Sequence, residues 1–585
     1  MLQPLNPTRQ IKESAGLFIP LWLVWGAALA FAGIGLGSYA ILDNNEGLYA
    51  EVAREMLHSG DWQAWIIPRL NGLPYIEKPP LLYWLTAISF VVFGESEWAA
   101  RLVPALSGLA CVMNILWFGR KAGRPQTARL AALLFISSLG VILMSHTLMF
   151  DMLLTALLSA ALFRGYLFIA GNDRAEQRWA MFFLALAMMA KGFVAVMLFC
   201  IVAGGFSIVS SASSADFLRR LRSWFNWKAI GIFLLISLPW HLLAGLIEPA
   251  FTWLYFVNEH VLRFLGRREP DDYYTGAWWY YLPRIVVFLF PWSLLIPALP
   301  FAGSGKSTDR GASGRIGGPT GELKGGLANR RLHLFLTLAW LMPLLFFSLS
   351  SAKANYYLIA VMPFAAFQLA MVLEEREFGS GWGRLLPGVL LGGVLLVFAW
   401  WTANQAHGAL EALGVRGWRS PWFLSQSLVG LAVLSLLAGL AAWRRPGIGI
   451  LSYMLLSLGA SFILLGVLQA STTQASSRPL AVALQREYPG REIFMFRAFE
   501  EHSALPFYLK KPVYIIDSRS NDLFWGNKLH RNGIVVSETD FAGYAQSESA
   551  VIVVLDQDLP LFMTKSYYKH FRESQKIGNA SLFLN

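Results

Sequence analysis

Three stretches of this 585-residue chain place ionisable side chains where apolar sequence begins or ends. In the first, Leu42-Asp-Asn-Asn-Glu-Gly-Leu-Tyr-Ala-Glu-Val-Ala-Arg-Glu55, the acids Asp43 and Glu46 sit just past an apolar run. Glu51, Arg54 and Glu55 follow at helical spacing and suit a solvated helix with i,i+3 and i,i+4 ion pairs. Asp43 and Glu46 are the candidates for chemistry there, because ionisable groups at the edge of a membrane segment tend to be functional. In the second, Asn71-Gly-Leu-Pro-Tyr-Ile-Glu-Lys-Pro-Pro80, the two prolines stop any helix and hold Glu77 and Lys78 side by side. Such a loop suits a phosphate at Lys78 and a metal or hydroxyl at Glu77; its plainer alternative is a local salt bridge. The third is Asp151, in Met149-Phe-Asp-Met-Leu-Leu-Thr155, with His146 a turn and a half earlier. A carboxylate between apolar runs is costly unless hydrated or paired.

More charges interrupt apolar sequence further on. Lys191 does so in Met189-Ala-Lys-Gly192, and Asn258-Glu-His-Val-Leu-Arg-Phe264 carries Glu259, His260 and Arg263. Lys353 precedes Tyr356 and Tyr357 in Ser348-Leu-Ser-Ser-Ala-Lys-Ala-Asn-Tyr-Tyr357. Lysine binds phosphate as a point charge and arginine as a fork, so Lys78, Lys191, Arg263 and Lys353 together suit an anionic head group. Any one alone could instead be an anchor whose stem lies in lipid.

The elements that must position these residues follow from composition. Apolar residues make up 56% of the chain and charged residues 14%, with mean hydropathy +0.48. A soluble protein carries roughly 25% charge. The balance excludes a cytosolic enzyme, a disulfide scaffold and a disordered chain. Cys111 and Cys200 lie inside apolar runs, which argues against a structural disulfide. The net charge of +12 fits basic cytoplasmic loops. No basic stretch is interleaved with aromatics, so nucleic acid is not an expected partner.

Runs long enough to span a bilayer need about 20 apolar residues. They occur at Leu17–Gly37, Trp98–Phe118, Leu130–Leu148, Met152–Ala170, Trp179–Ala190, Phe193–Val209, Ala229–Ile247, Pro283–Ala302, Leu332–Ser350, Tyr356–Leu373, Leu385–Trp401, Trp422–Trp443 and Ile448–Leu468. Leu81–Phe93 is short and reads as interfacial or re-entrant. With it outside the count, four basic loops and the N-terminus (Arg9, Lys12) share one side. The loops are 120–129, 219–228, 306–331 and Arg444-Arg445. The expected architecture is a polytopic α-helical membrane protein with about 13 spans, running over 1–470 and including an outer loop at 38–97. Its N-terminus is cytoplasmic and reads as an anchor rather than a cleaved signal. Residues 471–585 read as a periplasmic α/β domain, from short β-rich runs at Glu492–Phe496, Val513–Ile516, Gly533–Val536 and Val551–Leu555. Gly303–Gly326 reads as a flexible basic linker. The P-loop-like Gly303-Ser-Gly-Lys-Ser-Thr308 fails the motif, because Pro300 stands where its first glycine belongs.

Taken in order, these pieces resemble the GT-C superfamily of integral-membrane glycosyltransferases. The nearest branch looks like the bacterial aminoarabinose lipid A transferases and their protein O-mannosyltransferase-like relatives. The resemblance rests on Glu46–Met56, Glu77–Trp84, Ala99-Ala-Arg-Leu-Val-Pro104, Asp151–Thr155, Lys191-Gly192, Pro239-Trp240, Glu259-His260 with Arg263-Phe264, Tyr281-Leu-Pro283 and 350–363. It implies transfer of a sugar from undecaprenyl phosphate, without a nucleotide, on the periplasmic face of the bacterial inner membrane. The implied acceptor is lipid A, or else a protein or glycan; a polyprenol-lipid transporter is the non-enzymatic alternative. The resemblance implies Asp43, Glu46 and Asp151 as catalytic residues. The family's strict spacing puts Asn45, not an acid, before Glu46. It further implies Lys78, Tyr49, Lys191, Arg263, Lys353 and Tyr357 as substrate-binding, and a divalent metal (zinc, or magnesium or manganese) near Glu77 and His260.

Overall fold

The computed structural model describes residues 18–272, 275–301, 319–375, 381–404, 421–444, 446–470, 475–544 and 550–585. The P-loop-like motif, the tip of the basic linker, and the N-terminal Arg9 and Lys12 lie outside them. Every expected apolar run is helical within the described residues. Eight helices are long and apolar enough to cross a membrane unaided, and a ninth arises if a bent pair counts as one. The eight include Glu97–Lys121, Phe150–Gly171, Phe193–Ser210 and Trp227–Ile247. The bent pair, Pro125–Ile136 and Leu139–Ser145, turns by 67° within the expected run Leu130–Leu148.

The remaining runs are broken or short for identifiable reasons. Pro283–Ala302, expected as one helix, divides into Tyr281–Phe288 and a 3-10 stretch Trp292–Phe301. Pro291 stands at the break and has no N–H to continue the ladder. Helix Arg174–Lys191 starts under an Asp173 cap and carries charges in its first turns. It is separate from Phe193–Ser210, as the two expected runs Trp179–Ala190 and Phe193–Val209 are, because Gly192 stands between them at φ +89°. A Cβ on Gly192 would sit 2.7 Å from the Tyr255 hydroxyl and 2.8 Å from His260 Nε2, so only glycine fits.

The bundle is tied together by aromatic packing. Phe118 stacks on Phe163 at 4.2 Å and meets Phe367 at 5.5 Å. Tyr166 meets Phe335 at 4.7 Å. These contacts join Glu97–Lys121, Phe150–Gly171, Pro319–Leu349 and Met362–Glu375, with side chains too large to be replaced without a void.

A buried ion pair holds the end of the bundle that carries the candidate residues. Arg101, on Glu97–Lys121, is fully buried and donates Nε and Nη2 to the two Glu46 oxygens at 2.8 Å each. Its remaining hydrogens go to the carbonyls of Leu36, Tyr39 and Ala40. Glu46 also accepts from the backbone N–H groups of Leu42 and Leu148, each at 2.9 Å. Three chain segments therefore close on one bidentate pair.

The tail holds a six-stranded sheet with spatial order Val535–Val536, Tyr514–Ile516, Glu492–Phe496, Ala550–Leu555, Ala580–Leu584, Arg572–Ile577. The first four strands are parallel, matching the β-rich runs expected there. The last two form an antiparallel hairpin that sequence reading missed, although Gly578-Asn579 between them is a turn signal.

The clamp predicts its own non-additivity. Arg101→Met leaves the buried Glu46 carboxylate without its cation and should cost on the order of 3–5 kcal/mol. Pairing it with Glu46→Gln should recover part of that loss. Thermal melting in detergent checks this; equal melting of single and double variants would show that the pair is not the clamp.

Candidate active site

Lys78 lies in the Pro-bounded loop, and its ammonium stands 3.8 Å from Glu77 and 3.7 Å from Glu259. Glu259 arrives on a π-helical stretch, Trp253–Leu262, a wide turn that commonly marks functional sites. It accepts from Arg268 Nε at 2.6 Å and from Arg263 at 3.0 Å. Arg268 reaches on to Glu77 at 2.7 Å, and Arg263 to Asp272 at 2.7 Å. Three carboxylates and three cations thus interlock. Burial works to raise the carboxyl pKa of Glu259, but Arg268, Lys78 and Arg263 outweigh it and hold the group at about 2. Burial pushes Glu77 the other way, upward, only partly opposed by Arg268. Two donors are left underused: Lys78 makes no closer polar contact than its two carboxylates, and buried Arg263 Nε has no partner among the described residues.

A second pair abuts this cluster. Asp151, in the first turn of Phe150–Gly171, bonds Lys191 at the end of Arg174–Lys191. The Lys191 ammonium also lies 4.6 Å from the Tyr357 ring and 5.2 Å from that of Tyr356. Lys78 bears electrostatically on both Asp151 and Lys191, and Arg263 on Tyr357. Tyr49 stands beside them, its ring edge-on to Phe150 at 4.8 Å and its hydroxyl on Asn45 at 3.2 Å. Of the expected site residues, the structure brings together Lys78, Glu77, Asp151, Lys191, Arg263, Tyr49 and Tyr357.

Four others are engaged elsewhere. Glu46 is saturated by Arg101 and two backbone donors. Asp43 faces the tail domain, accepting from Ser477 Oγ at 2.8 Å and the Ala504 N–H at 2.9 Å. Lys353, expected on an anionic head group, is turned inward and only 2% exposed. It donates to the carbonyls of Phe347, Ser348 and Ser350, which the end of helix Pro319–Leu349 leaves without partners. His260 caps helix Phe193–Ser210, its Nε2 accepting the Phe193 N–H at 3.0 Å and its Nδ1–H donating to the Tyr255 carbonyl at 2.5 Å. With both ring nitrogens engaged and Glu77 on Arg268, the expected metal does not fit this pair. Among the described residues no group of three His, Cys, Asp or Glu has metal-binding geometry. Glu51 and Arg54 do form the expected i,i+3 pair at 2.7 Å, but buried rather than solvated.

The tail closes on this face. Asn71-Gly72 form a tight turn with φ of +52° and +78°, joining strands Arg69–Leu70 and Leu73–Pro74. The Asn71 side chain exchanges two 2.8 Å hydrogen bonds with Val513. Trp525 and Asn521 donate to the carbonyls of Glu269 and Asp271.

Comparison with known proteins places this geometry. The family profile described as dolichyl-phosphate-mannose-protein mannosyltransferase matches residues 77–242. An undecaprenyl phosphate-alpha-4-amino-4-deoxy-L-arabinose arabinosyl transferase 1 of Pseudomonas fluorescens is 30% identical over 462 residues, 75% of each chain. The chain belongs to this arabinosyl transferase family. A second Pseudomonas fluorescens member is 28% identical over 84% of each chain. The fold is shared with the crystal structure of ArnT from Cupriavidus metallidurans bound to undecaprenyl phosphate, at TM-score 0.74 and 22% identity over 96% of this chain and 97% of that one. This protein is accordingly a multi-span membrane glycosyltransferase of the arabinosyl transferase family, using a lipid-linked sugar donor.

Against that family setting, three residues of the site went unread in the sequence. Arg268 and Asp272 lie in Gly266-Arg-Arg-Glu-Pro-Asp-Asp272, where a basic pair and an acidic pair flank a proline close to Arg263. That density of charge beside a candidate was the available signal. Asp522, which accepts from Tyr75 of the Lys78 loop at 3.4 Å, lies in the tail, where Ser-Asn-Asp before an apolar run reads only as a helix start.

One local group imitates a hydrolase triad. Ser477 Oγ donates to Asp43 and meets His502 Nδ1 at 2.8 Å. The serine stands between acid and base, so the histidine is not polarised by the acid as a triad requires. Burial raises Asp43 to about 8 and lowers His502 to about 4. The folded state then holds an extra proton on Asp43 between its ordinary range and about pH 8, so stability falls as pH rises across that window. His502 acts oppositely, between about pH 4 and its ordinary value near 6.5. From about pH 6.5 to 8 only the Asp43 contribution remains of the two. Tail docking, followed by limited proteolysis, should weaken over that interval, and Asp43→Asn should flatten the change; an unaltered slope would remove Asp43 as its source.

Proposed function

We propose that this chain transfers 4-amino-4-deoxy-L-arabinose from undecaprenyl phosphate to a phosphate of lipid A, at the periplasmic face of the inner membrane. In this reading the N-terminus is cytoplasmic and the tail domain periplasmic. The observation that carries it is the unspent donor capacity beside a carboxylate–lysine pair: Lys78, held by carboxylates no closer than 3.7 Å, and the unpaired Nε of Arg263. A phosphodiester entering there replaces long contacts by charge-assisted hydrogen bonds. The donor's anomeric carbon–oxygen bond breaks toward its phosphate, and an oxygen of the acceptor phosphate forms the new bond. Lipid phosphate leaves as the monoester while the acceptor becomes a diester, so charge and protons balance without a base. Lys78 and Arg263 stabilise the charge that grows on the leaving phosphate. Asp151, oriented by Lys191, stands by the positive charge that develops on the sugar, and Tyr49 and Tyr357 bound the space around it. Glu46 and Asp43 hold the walls rather than react.

A hydroxyl acceptor on a protein would release a proton and call on Asp151 as base. Mass spectrometry of lipid A and of envelope glycoproteins, from cells with and without the gene, separates the two acceptors. Loss of an aminoarabinose mass from lipid A is expected; an unchanged lipid A would overturn the reading. With purified protein, Lys78→Ala should weaken undecaprenyl phosphate binding about tenfold or more. Asp151→Asn should lower turnover by about 100-fold or more while leaving that affinity within a few-fold. Wild-type turnover in Asp151→Asn would exclude the carboxylate from the reaction.

A further inference from the structure

The tail domain delivers one carboxylate to the membrane face that the reaction above does not use. Asp522 stands in the first turn of helix Asn521–Leu529, behind a Ser520 cap whose Oγ accepts the Leu523 N–H at 3.1 Å. Its position is tightly set. The backbone N–H of Asp522 faces Glu500 at 3.3 Å, and Gly526 packs so closely on the hairpin that a Cβ would come within 2.6 Å of the Pro74 carbonyl. Among the described residues the carboxylate's side-chain partner is the Tyr75 hydroxyl, which donates to it at 3.4 Å. Among the described residues no lysine, arginine or histidine forms an ion pair with it. Glu77, Lys78 and Arg268 reach it only through space.

Asp522 is half-buried, and at this face its carboxylate is a charge without a paired cation unless something brings it one. A second observation marks the place where that something would sit. Tyr83 is fully buried, and its hydroxyl has no hydrogen-bond partner among the described residues. Both Glu77 and Asp522 bear on it electrostatically, and its ring adjoins Tyr49 at 6.1 Å and Phe150 at 5.2 Å. Glu77 is committed to Arg268. The uncommitted groups are therefore one carboxylate, one phenol oxygen and the neighbouring aromatic faces. That set matches a primary ammonium, which offers three donors and a cation for the rings. A neutral hydroxyl leaves the carboxylate's charge uncompensated.

We propose that Asp522, carried by the tail domain, binds the charged amino group of the transferred sugar, with Tyr83 and Tyr75 completing the pocket. The inference rests on the function proposed above. It makes the tail domain the part of the enzyme that selects an amino sugar, while Lys78 and Arg263 take the phosphate end of the same small donor.

The test compares undecaprenyl-phosphate aminoarabinose with its N-formylated form, in which the amine is neutral. Wild-type protein should favour the free amine in kcat/KM. Asp522→Asn should shrink that preference about 10- to 100-fold, with the Kd for undecaprenyl phosphate alone within twofold. Asp522→Glu should restore part of it. Tyr83→Phe, which removes the orphan hydroxyl and leaves the packing, should lower the preference in the same direction. If Asp522→Asn or Tyr83→Phe keeps the wild-type preference, the inference is overturned and the proposed function stands. Loss of undecaprenyl phosphate binding in Asp522→Asn overturns it too, since the residue would then be holding the site together. A wild-type enzyme that uses neither donor overturns both.

Discussion

A single buried ion pair sets the frame on which the rest is hung. Arg101 is wholly enclosed, and among the described residues Glu46 is its one anionic partner. Every hydrogen on the guanidinium side and every oxygen on the carboxylate side has work: two bonds to each other, three to carbonyls before Glu46, two from backbone N–H groups. A pair buried this deeply survives only with such complete satisfaction. The carbonyls it gathers belong to the chain leaving the first membrane helix, and the Leu148 N–H belongs to the approach to Asp151. The clamp thus fixes where Asp151 and Tyr49 emerge, before any substrate is present.

Around that frame the boundary with water obeys an economy of charge. Glu77, Glu259, Asp272 and Asp151 interlock with Lys78, Arg263, Arg268 and Lys191, and the π-helical turn at Trp253–Leu262 carries Glu259 into that cluster while His260 caps a different helix. The pairing keeps Glu259 ionised in spite of burial. It also leaves Lys78 stretched between two acids and the Arg263 Nε–H without a partner among the described residues. In the proposed function a phosphate is met by groups already in place, so little reorganisation is asked of the protein when charge moves in the reaction.

The tail is part of this machinery rather than an appendage. Asn71 pairs with Val513 as one strand edge would with another, and Asp43 receives both a serine and a backbone amide from the tail. Trp525 and Asn521 bind the loop that carries Arg268. A wall of soluble protein laid across the membrane face reduces water access to the site and strengthens each charge contact within it.

The amino-acid order by itself determined what periodicity and composition can carry: a membrane bundle, the identity of its helical runs, the break at Gly192, four strands of the tail sheet, and the residues Lys78, Asp151, Lys191 and Arg263 as a group. Each of these is legible along the chain, from apolar length, from the side on which basic loops fall or from the cost of a charge in lipid. Tertiary structure alone decided which of the charged residues face the site. Glu46 and Lys353 have the right types and the right places in sequence, yet Arg101 and three helix-end carbonyls claim them. His260 looks like a ligand until its two nitrogens are seen to be occupied. Asp522 and Arg268 enter from segments whose local pattern speaks only of a helix start and a charged loop. Hydrogen-bond satisfaction is settled among residues far apart in the chain, and that is why a residue's type could be read from its neighbours but its partner could not.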